Sequence, residues 1–272
     1  MTRSMQRIAV VNMKGGVGKT TTAIHVAAGL ALGGLRTLLI DADPQGNIGH
    51  AFGVRRNRTL RELMLGDAPL DEVIVRGVRE KLDVILSTPA SFGLDAQLAG
   101  APQRETILAR RLRALSGYDA VVIDSSPAMN LLSYNALLCT DEVIVPVGMD
   151  GMAIVGARQT LNGVREIRDL WPERRLDLLA VLPIGVNSTN ATRAAFEALD
   201  DDPEMRGHVY RPGIRQCIDV TYALTQRQTI WEYAPRSRAA EDYSAFVRFV
   251  VHGSAGDHTA DAAADEKTQT LV

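Results

Sequence analysis

The sequence predicts an α/β fold, a doubly wound, mostly parallel sheet flanked by helices. Three observations lead there. Several segments are unbroken apolar runs rather than alternating ones, the pattern of strands buried on both faces. Stretches with helical spacing separate them. The polar residues that end the runs (Lys14, Asp41, Asp43, Asp124, Asp150 and Asn187) fall at carboxyl ends, where such sheets bind ligands.

The elements follow in chain order. "RIAVVNM" (7–13) is an apolar run that enters a glycine-rich loop, and "TTTAIHVAAGLALGG" (20–34) has helical spacing and stops at Gly33 and Gly34. "RTLLIDADPQGN" (36–47) is a second strand, ending in two acids and a proline. "LDVILSTPA" (82–90) is a third strand, and residues 103–116 read as an Arg-rich amphipathic helix. "YDAVVIDSSPA" (118–128), "DEVIVPVGMD" (141–150) and "LDLLAVLPIGVN" (176–187) continue the series. "HVYRPGIR" (208–215) supplies a short seventh strand. Residues 1–250 make one domain. The segment 251–272, with four acids, one lysine and little apolar content, is expected to be a disordered acidic tail.

Bulk composition narrows the function. With 272 residues, 46% of them hydrophobic, the chain can bury a sizeable core. A net charge of −2 gives no global attraction to nucleic acid, although residues 1–250 alone carry +1 and leave room for a local basic patch. Cys139 and Cys217 form neither a metal pattern nor a disulfide framework, which argues against an iron–sulfur scaffold. No apolar run is long enough to span a membrane, and a cytoplasmic protein is expected.

The chemistry centres on "VNMKGGVGKTTT" (11–22). The second half of a phosphate loop, G-K-[ST], is present as Gly18, Lys19 and Thr20, but Met13 stands where the first glycine belongs. Gly15, Gly16, Val17 and Gly18 let backbone N–H groups wrap phosphate oxygens, and the next helix, opening at Thr20 and Thr21, adds its positive end. Lys19 reaches the β and γ phosphates, and the Thr20 hydroxyl is a Mg²⁺ ligand. Asp124, closing "AVVID", fits the second metal-site residue. Asp41 and Asp43 lie two apart on a strand and so share a side. Asp43 is the candidate for orienting the attacking water, with Asp41 nearer the metal. The chain has only four lysines, and two of them, Lys14 and Lys19, lie in this loop.

These residues resemble the ParA/MinD ATPases. "KGGVGKTTT" resembles their deviant Walker A loop, "LLIDADPQGN" the Walker A′ segment of the ParA branch, and "YDAVVIDSSPAMN" the Walker B segment. "TDEVIVPVGMDGMAIVGARQTL" and "PRSRAAEDY" match later segments, so the resemblance runs from about residue 6 to 250. It implies a P-loop NTPase that binds ATP and Mg²⁺, forms an ATP-dependent homodimer, and hydrolyses ATP slowly until a partner stimulates it. Lys14 is then the signature lysine, reaching across the dimer to the other subunit's phosphates. Asn187 meets the adenine edge and Pro212 packs on the ring.

The ParA branch further implies binding to non-specific DNA, with nucleoid association and a ParB-like or other cargo adaptor. The cargo would be a plasmid or chromosome origin, or a protein body such as a carboxysome. Arg211, Arg215, Arg227, Arg236 and Arg238 are the candidate DNA contacts, with Arg215 the foremost. Two departures stand out: "VNSTNAT" lacks an arginine that many relatives carry, and the Walker B turn reads "SSPA". The alternative, a MinD-like membrane-associated ATPase, needs a basic amphipathic C-terminal helix, and the tail is acidic.

Overall fold

A computed structural model describes residues 5–150 and 153–253. Eight strands form one sheet: β1 (Gln6–Val10), β2 (Thr37–Ala42), β3 (Ile74–Arg79), β4 (Leu82–Ile85), β5 (Ala120–Ser125), β6 (Glu142–Gly148), β7 (Asp177–Val186) and β8 (Ile214–Arg215). Their order across the sheet is β3-β4-β2-β5-β1-β6-β7-β8. Among the described residues, only the β3–β4 pair is antiparallel. The sequence does not announce β3. Arg76, Gly77 and Arg79 interrupt its apolar pattern, Gly77 has φ +66°, and the ladder shifts register between Val75 and Arg79. β8 is shorter than the 208–215 expectation: Val209 makes only an isolated bridge to Val181.

Alternation along the central strands shows the double winding. Ile8, Val10, Leu39, Val122 and Ile144 face one core, with the helices Lys19–Leu32 and Arg238–Gly253. Leu38, Ile40, Val121 and Ile123 belong to a second core, and Ala9, Val11, Val143 and Val145 to a third, which helices Leu131–Leu138 and Ala153–Leu170 help to build. Adjacent residues of a strand thus serve opposite faces.

Two expectations change. Residues 103–116 do not form one helix but a 3₁₀ turn at Arg104–Thr106, a helix at Ile107–Arg111 and a second 3₁₀ turn at Leu112–Ala114. Buried Asn135 competes for the backbone here: its Oδ1 accepts from Leu108 N at 2.9 Å and its Nδ2 donates to Arg104 O at 2.9 Å. Residues 251–253 finish the C-terminal helix. The rest of the expected disordered tail lies outside the described residues.

The phosphate-loop helix packs closely on the C-terminal helix. A Cβ on Gly29 would lie 2.5 Å from Val247 Cγ2, so only glycine fits. One turn earlier, His25 is fully buried and stacks on Tyr243 at 4.5 Å. Its Nδ1 lies 2.7 Å from Thr21 O, and its Nε2 accepts from Ile230 N at 3.1 Å. That pairing requires the neutral ring with the proton on Nδ1. Burial holds its pKa down to about 4, against a smaller opposing effect of the Thr21 carbonyl.

Because the folded pKa lies below the unfolded one, the unfolded chain binds the extra proton. Stability that is complete above about pH 6.5 is lost as pH falls toward 4. Comparing urea unfolding of wild type and His25→Gln at pH 7.5 and 4.5 isolates this group. The wild-type advantage should shrink by about 3 kcal/mol at the lower pH. An advantage that does not change with pH contradicts a neutral buried His25.

Candidate functional site

The loop after β1 is held from below by side chains distant in sequence. Asn12 is fully buried; its Nδ2 donates to Pro146 O at 2.7 Å and its Oδ1 accepts from Lys14 N at 2.8 Å. Met13 N donates to Thr160 Oγ1 at 2.9 Å, and that hydroxyl donates to Gly156 O at 2.7 Å. Met13 thus occupies the position of the missing glycine with its backbone pinned to the Ala153–Leu170 helix. Gly156 permits this contact, since a Cβ there would lie 2.7 Å from Lys14 Cβ and 3.1 Å from Asn12 Oδ1. Sequence reasoning missed Asn12, Gly156 and Thr160. The one available signal was an asparagine closing an apolar run.

Above this floor the loop forms a phosphate cradle. Gly16 (φ +74°) and Gly18 (φ +86°) are left-handed. Nothing lies within 4 Å of where a side chain would begin at Gly15 or Gly16. Gly18 caps the Lys19–Leu32 helix without a side-chain hydrogen bond, which leaves N-terminal N–H groups for an anion. Val17 is buried, while Thr20 and Thr21 are half-buried at the helix entrance. Lys19 is 6% exposed, and its Nζ donates to Lys14 O at 2.9 Å. Burial lowers its pKa, opposed by Asp124 and Asp43.

Strand register brings the acids to this cradle. Asp124 lies opposite Val10 in β1 and Asp41 in β2. It is fully buried, and neither carboxylate oxygen has a hydrogen-bond partner. Burial pushes its pKa up to about 7; the neighbouring Thr20 hydroxyl favours the charged form but lies outside full hydrogen-bond geometry. Such an orphaned carboxylate beside a threonine hydroxyl suits Mg²⁺, which takes a few protein oxygens and fills its shell with phosphate and water. Asp41 is also buried, but both of its oxygens are engaged: Oδ1 accepts from Asp43 N at 3.1 Å and Oδ2 from Ile48 N at 3.2 Å. It shapes the turn that presents Asp43, whose Oδ1 accepts from Gln45 N at 2.9 Å.

Lys14 points elsewhere. Its Nζ pairs with Asp150, at 2.7 and 2.8 Å from the two carboxylate oxygens. Asn187, at the end of β7, accepts on Oδ1 from Thr189 N, Thr189 Oγ1 and Thr192 Oγ1, and donates from Nδ2 to Gln216 Oε1 at 3.0 Å. At most one amide hydrogen is left for a base. Pro212 is exposed just before β8. Of the five arginines, Arg211 is paired with Asp200 and lies over the Phe196 ring. Arg215, the foremost of them, is locked onto Asp242 and Glu241 at 2.8 and 3.0 Å, and Arg227 packs on Gly53. Arg236 and Arg238 are exposed.

Comparison with known proteins fits this geometry. A family model described as an AAA domain matches residues 5–177. The sporulation initiation inhibitor protein Soj of Bacillus subtilis is 34% identical over 241 residues, 87% of this chain and 94% of that protein. The chromosome-partitioning ATPase Soj of Thermus thermophilus is 38% identical over 244 residues, covering 88% and 92%. The chain belongs to the ParA family of ATPases. It is therefore a partition-type ATPase that hydrolyses ATP. Two solved structures support the ParA-type fold. Cobyrinic acid a,c-diamide synthase of Mycobacterium smegmatis, with bound ADP and magnesium, superposes with a TM-score of 0.80 at 29% identity, covering 93% of this chain and 96% of that one. Apo McdA of Cyanothece gives 0.81 at 24% identity, covering 91% and 99%, a similarity of fold. ATP and Mg²⁺ fit the cradle of this ParA-family chain.

The floor of the loop yields a direct test. Gly156→Ala should raise the Kd for a fluorescent ATP analogue about tenfold, or ~1.4 kcal/mol, by displacing the Asn12–Lys14 backbone. An unchanged Kd contradicts the supporting role given to this contact.

Proposed function

We propose that this ATPase works as an ATP-dependent homodimer in which Lys14 completes the partner's site, and that it positions a cargo on non-specific DNA. The observation that carries the reading is the Lys14–Asp150 pair. The Lys14 backbone belongs to the cradle, but its ammonium is paired with an aspartate after β6, with side chains 29% and 59% exposed. An exposed pair of this kind is worth about 0–1 kcal/mol. Lys14 is therefore easily released to a stronger anion.

Within one subunit, the cradle N–H groups and Lys19 bind and orient phosphate, while Thr20 and Asp124 would hold Mg²⁺. When bound, ATP and Mg²⁺ supply the phosphoryl group and a cation that screens its charge. Asp43, fixed by its bond to Gln45 N, orients the attacking water. Lys14 from the second subunit stabilises charge developing on the phosphoryl oxygens, as an arginine finger does. Slow turnover follows from the need to assemble both halves, and a ParB-like or other adaptor accelerates it. The cargo is an origin of replication or a protein body, and the place of action is the cytoplasmic nucleoid.

Lys14→Ala should bind ATP with near-wild-type affinity, stay monomeric by light scattering, and turn over about 10³-fold more slowly at adaptor-stimulated rates. Undiminished hydrolysis by this variant contradicts the proposal. Asp43→Ala should instead keep ATP-dependent dimerisation and persist on DNA after ATP addition. Rapid release through hydrolysis would remove Asp43 from its role.

A further inference from the structure

The C-terminal helix ends at Gly253, and Gly253 itself lines a cavity of about 460 Å³ at the amino edge of the sheet, opposite the phosphate loop. Glu142 and Asp177, the first residues of β6 and β7, line it together with Arg165, Arg168 and Arg175. At the same edge a cavity of about 560 Å³ is lined by Arg7, Arg110, Arg113 and Arg174, with Glu105 and Glu173. Arg110 also lines a third cavity, of about 310 Å³, where Arg111 joins it and, among the described residues, no acid does. The three adjoin: Arg110 is shared by the last two, and Arg174 and Arg175 are chain neighbours on the first two.

The charges at this edge do not balance. Among the described residues, the three cavities present eight arginines to five carboxylates, an excess of three positive charges. The chain continues beyond Gly253 as "SAGDHTADAAADEKTQTLV" (254–272), with Asp257, Asp261, Asp265 and Glu266 against Lys267, an excess of three negative charges. Its point of departure and its length suit the same edge. Asp257 follows Gly253 by four residues, which confines it within about 14 Å, beside the first cavity. Glu266 follows by thirteen, a reach of up to about 45 Å, more than the ~30 Å diameter of a small domain.

The guanidiniums are receptive. Arg110 is oriented by neutral acceptors, donating from Nη1 to Gln103 O, Gln103 Oε1 and Thr106 Oγ1 and from Nη2 to Pro102 O. Arg165 and Arg175 are paired with Glu204 and Asp177, but those pairs are exposed and exchange at a cost of about 0–1 kcal/mol.

We propose that residues 254–272 dock on the amino edge of their own chain, carboxylates against the arginines of these cavities. Each contact is weak by itself. Tethering at Gly253 makes every one of them intramolecular, which raises the effective concentration of the acids at the edge. The docked segment then occupies the guanidiniums, and other polyanions are kept from a face that has no part in the nucleotide site.

Carbodiimide coupling of the full chain tests the docking. It joins a lysine ammonium to a carboxylate in contact with it, and a chain with only four lysines gives a low background. Arg113→Lys with Arg174→Lys keeps the charge of the amino edge and makes it reactive. Arg193→Lys with Arg236→Lys does the same for exposed arginines elsewhere. The Lys14–Asp150 pair, coupled in the same reaction, reports that the reagent is active. Mass spectrometry should find Asp257, Asp261, Asp265 or Glu266 linked to position 113 or 174 at about tenfold the yield of links to position 193 or 236. Raising KCl from about 0.1 M to about 1 M should cut that yield several-fold, since screening shortens the reach of the charges. In a mixture of ¹⁵N-labelled and unlabelled chains the links should join peptides of one isotope. Docking is overturned if links to the amino edge are absent or no more frequent than those to 193 and 236. It is equally overturned if the links join the two isotopes, which would assign the edge to the tail of a second copy.

Discussion

The site depends on an unpaired carboxylate held in the core. Asp124 is fully buried where β1, β2 and β5 end in register, and neither oxygen has a partner in full hydrogen-bond geometry, with the Thr20 hydroxyl beside it. Leaving a buried acceptor unsatisfied costs about 1–3 kcal/mol, more if it is charged. A fold tolerates this where a ligand restores the balance. The surroundings share the property: Lys19 is buried and rests on its own loop's carbonyl, and the empty space over Gly15 and Gly16 has no side chain to fill it. Carboxylate, anion cradle and lysine are thus three parts of one deficit that a Mg²⁺–nucleotide complex would satisfy together.

The rest of the chain keeps that deficit in shape. Asn12 ties the loop to β6, Thr160 ties it to the Ala153–Leu170 helix, and Asp41 folds the segment after β2 so that Asp43 faces the cradle. On the other face, His25 joins the phosphate-loop helix to the segment from Ile230 to Tyr243. Lys14 belongs to none of these supports. Its backbone is fixed by Asn12, but its ammonium is held, among the described residues, by the exposed Asp150 alone. That contrast separates what one subunit builds rigidly from what it leaves available.

Much of this was legible in the sequence because parallel strands buried on both faces read as apolar runs, and the residues ending those runs became the site. Gly16, Gly18, Lys19, Thr20, Asp43 and Asp124 are read from local spacing alone. β3 was hidden because an edge strand carrying Arg76, Gly77 and Arg79 lacks the apolar signature. The 103–116 helix was over-read because Asn135, far along the chain, replaces its backbone partners. The loop's floor could not be seen at all: Asn12 meets Pro146 and Met13 meets Thr160 only after the sheet has formed. The partners of Arg215 were hidden for the same reason, since Asp242 and Glu241 come from the last helix.

The central claim is that one subunit cannot complete its own active site. Mixing Lys14→Ala with Asp43→Ala tests it most directly. Each variant alone lacks one essential group, but a mixed dimer has one site with its own Asp43 and a lysine from the other chain. The account predicts that the mixture regains ATP turnover that neither variant shows alone. Turnover that stays at the level of the separate variants, while mixed dimers form, would contradict it.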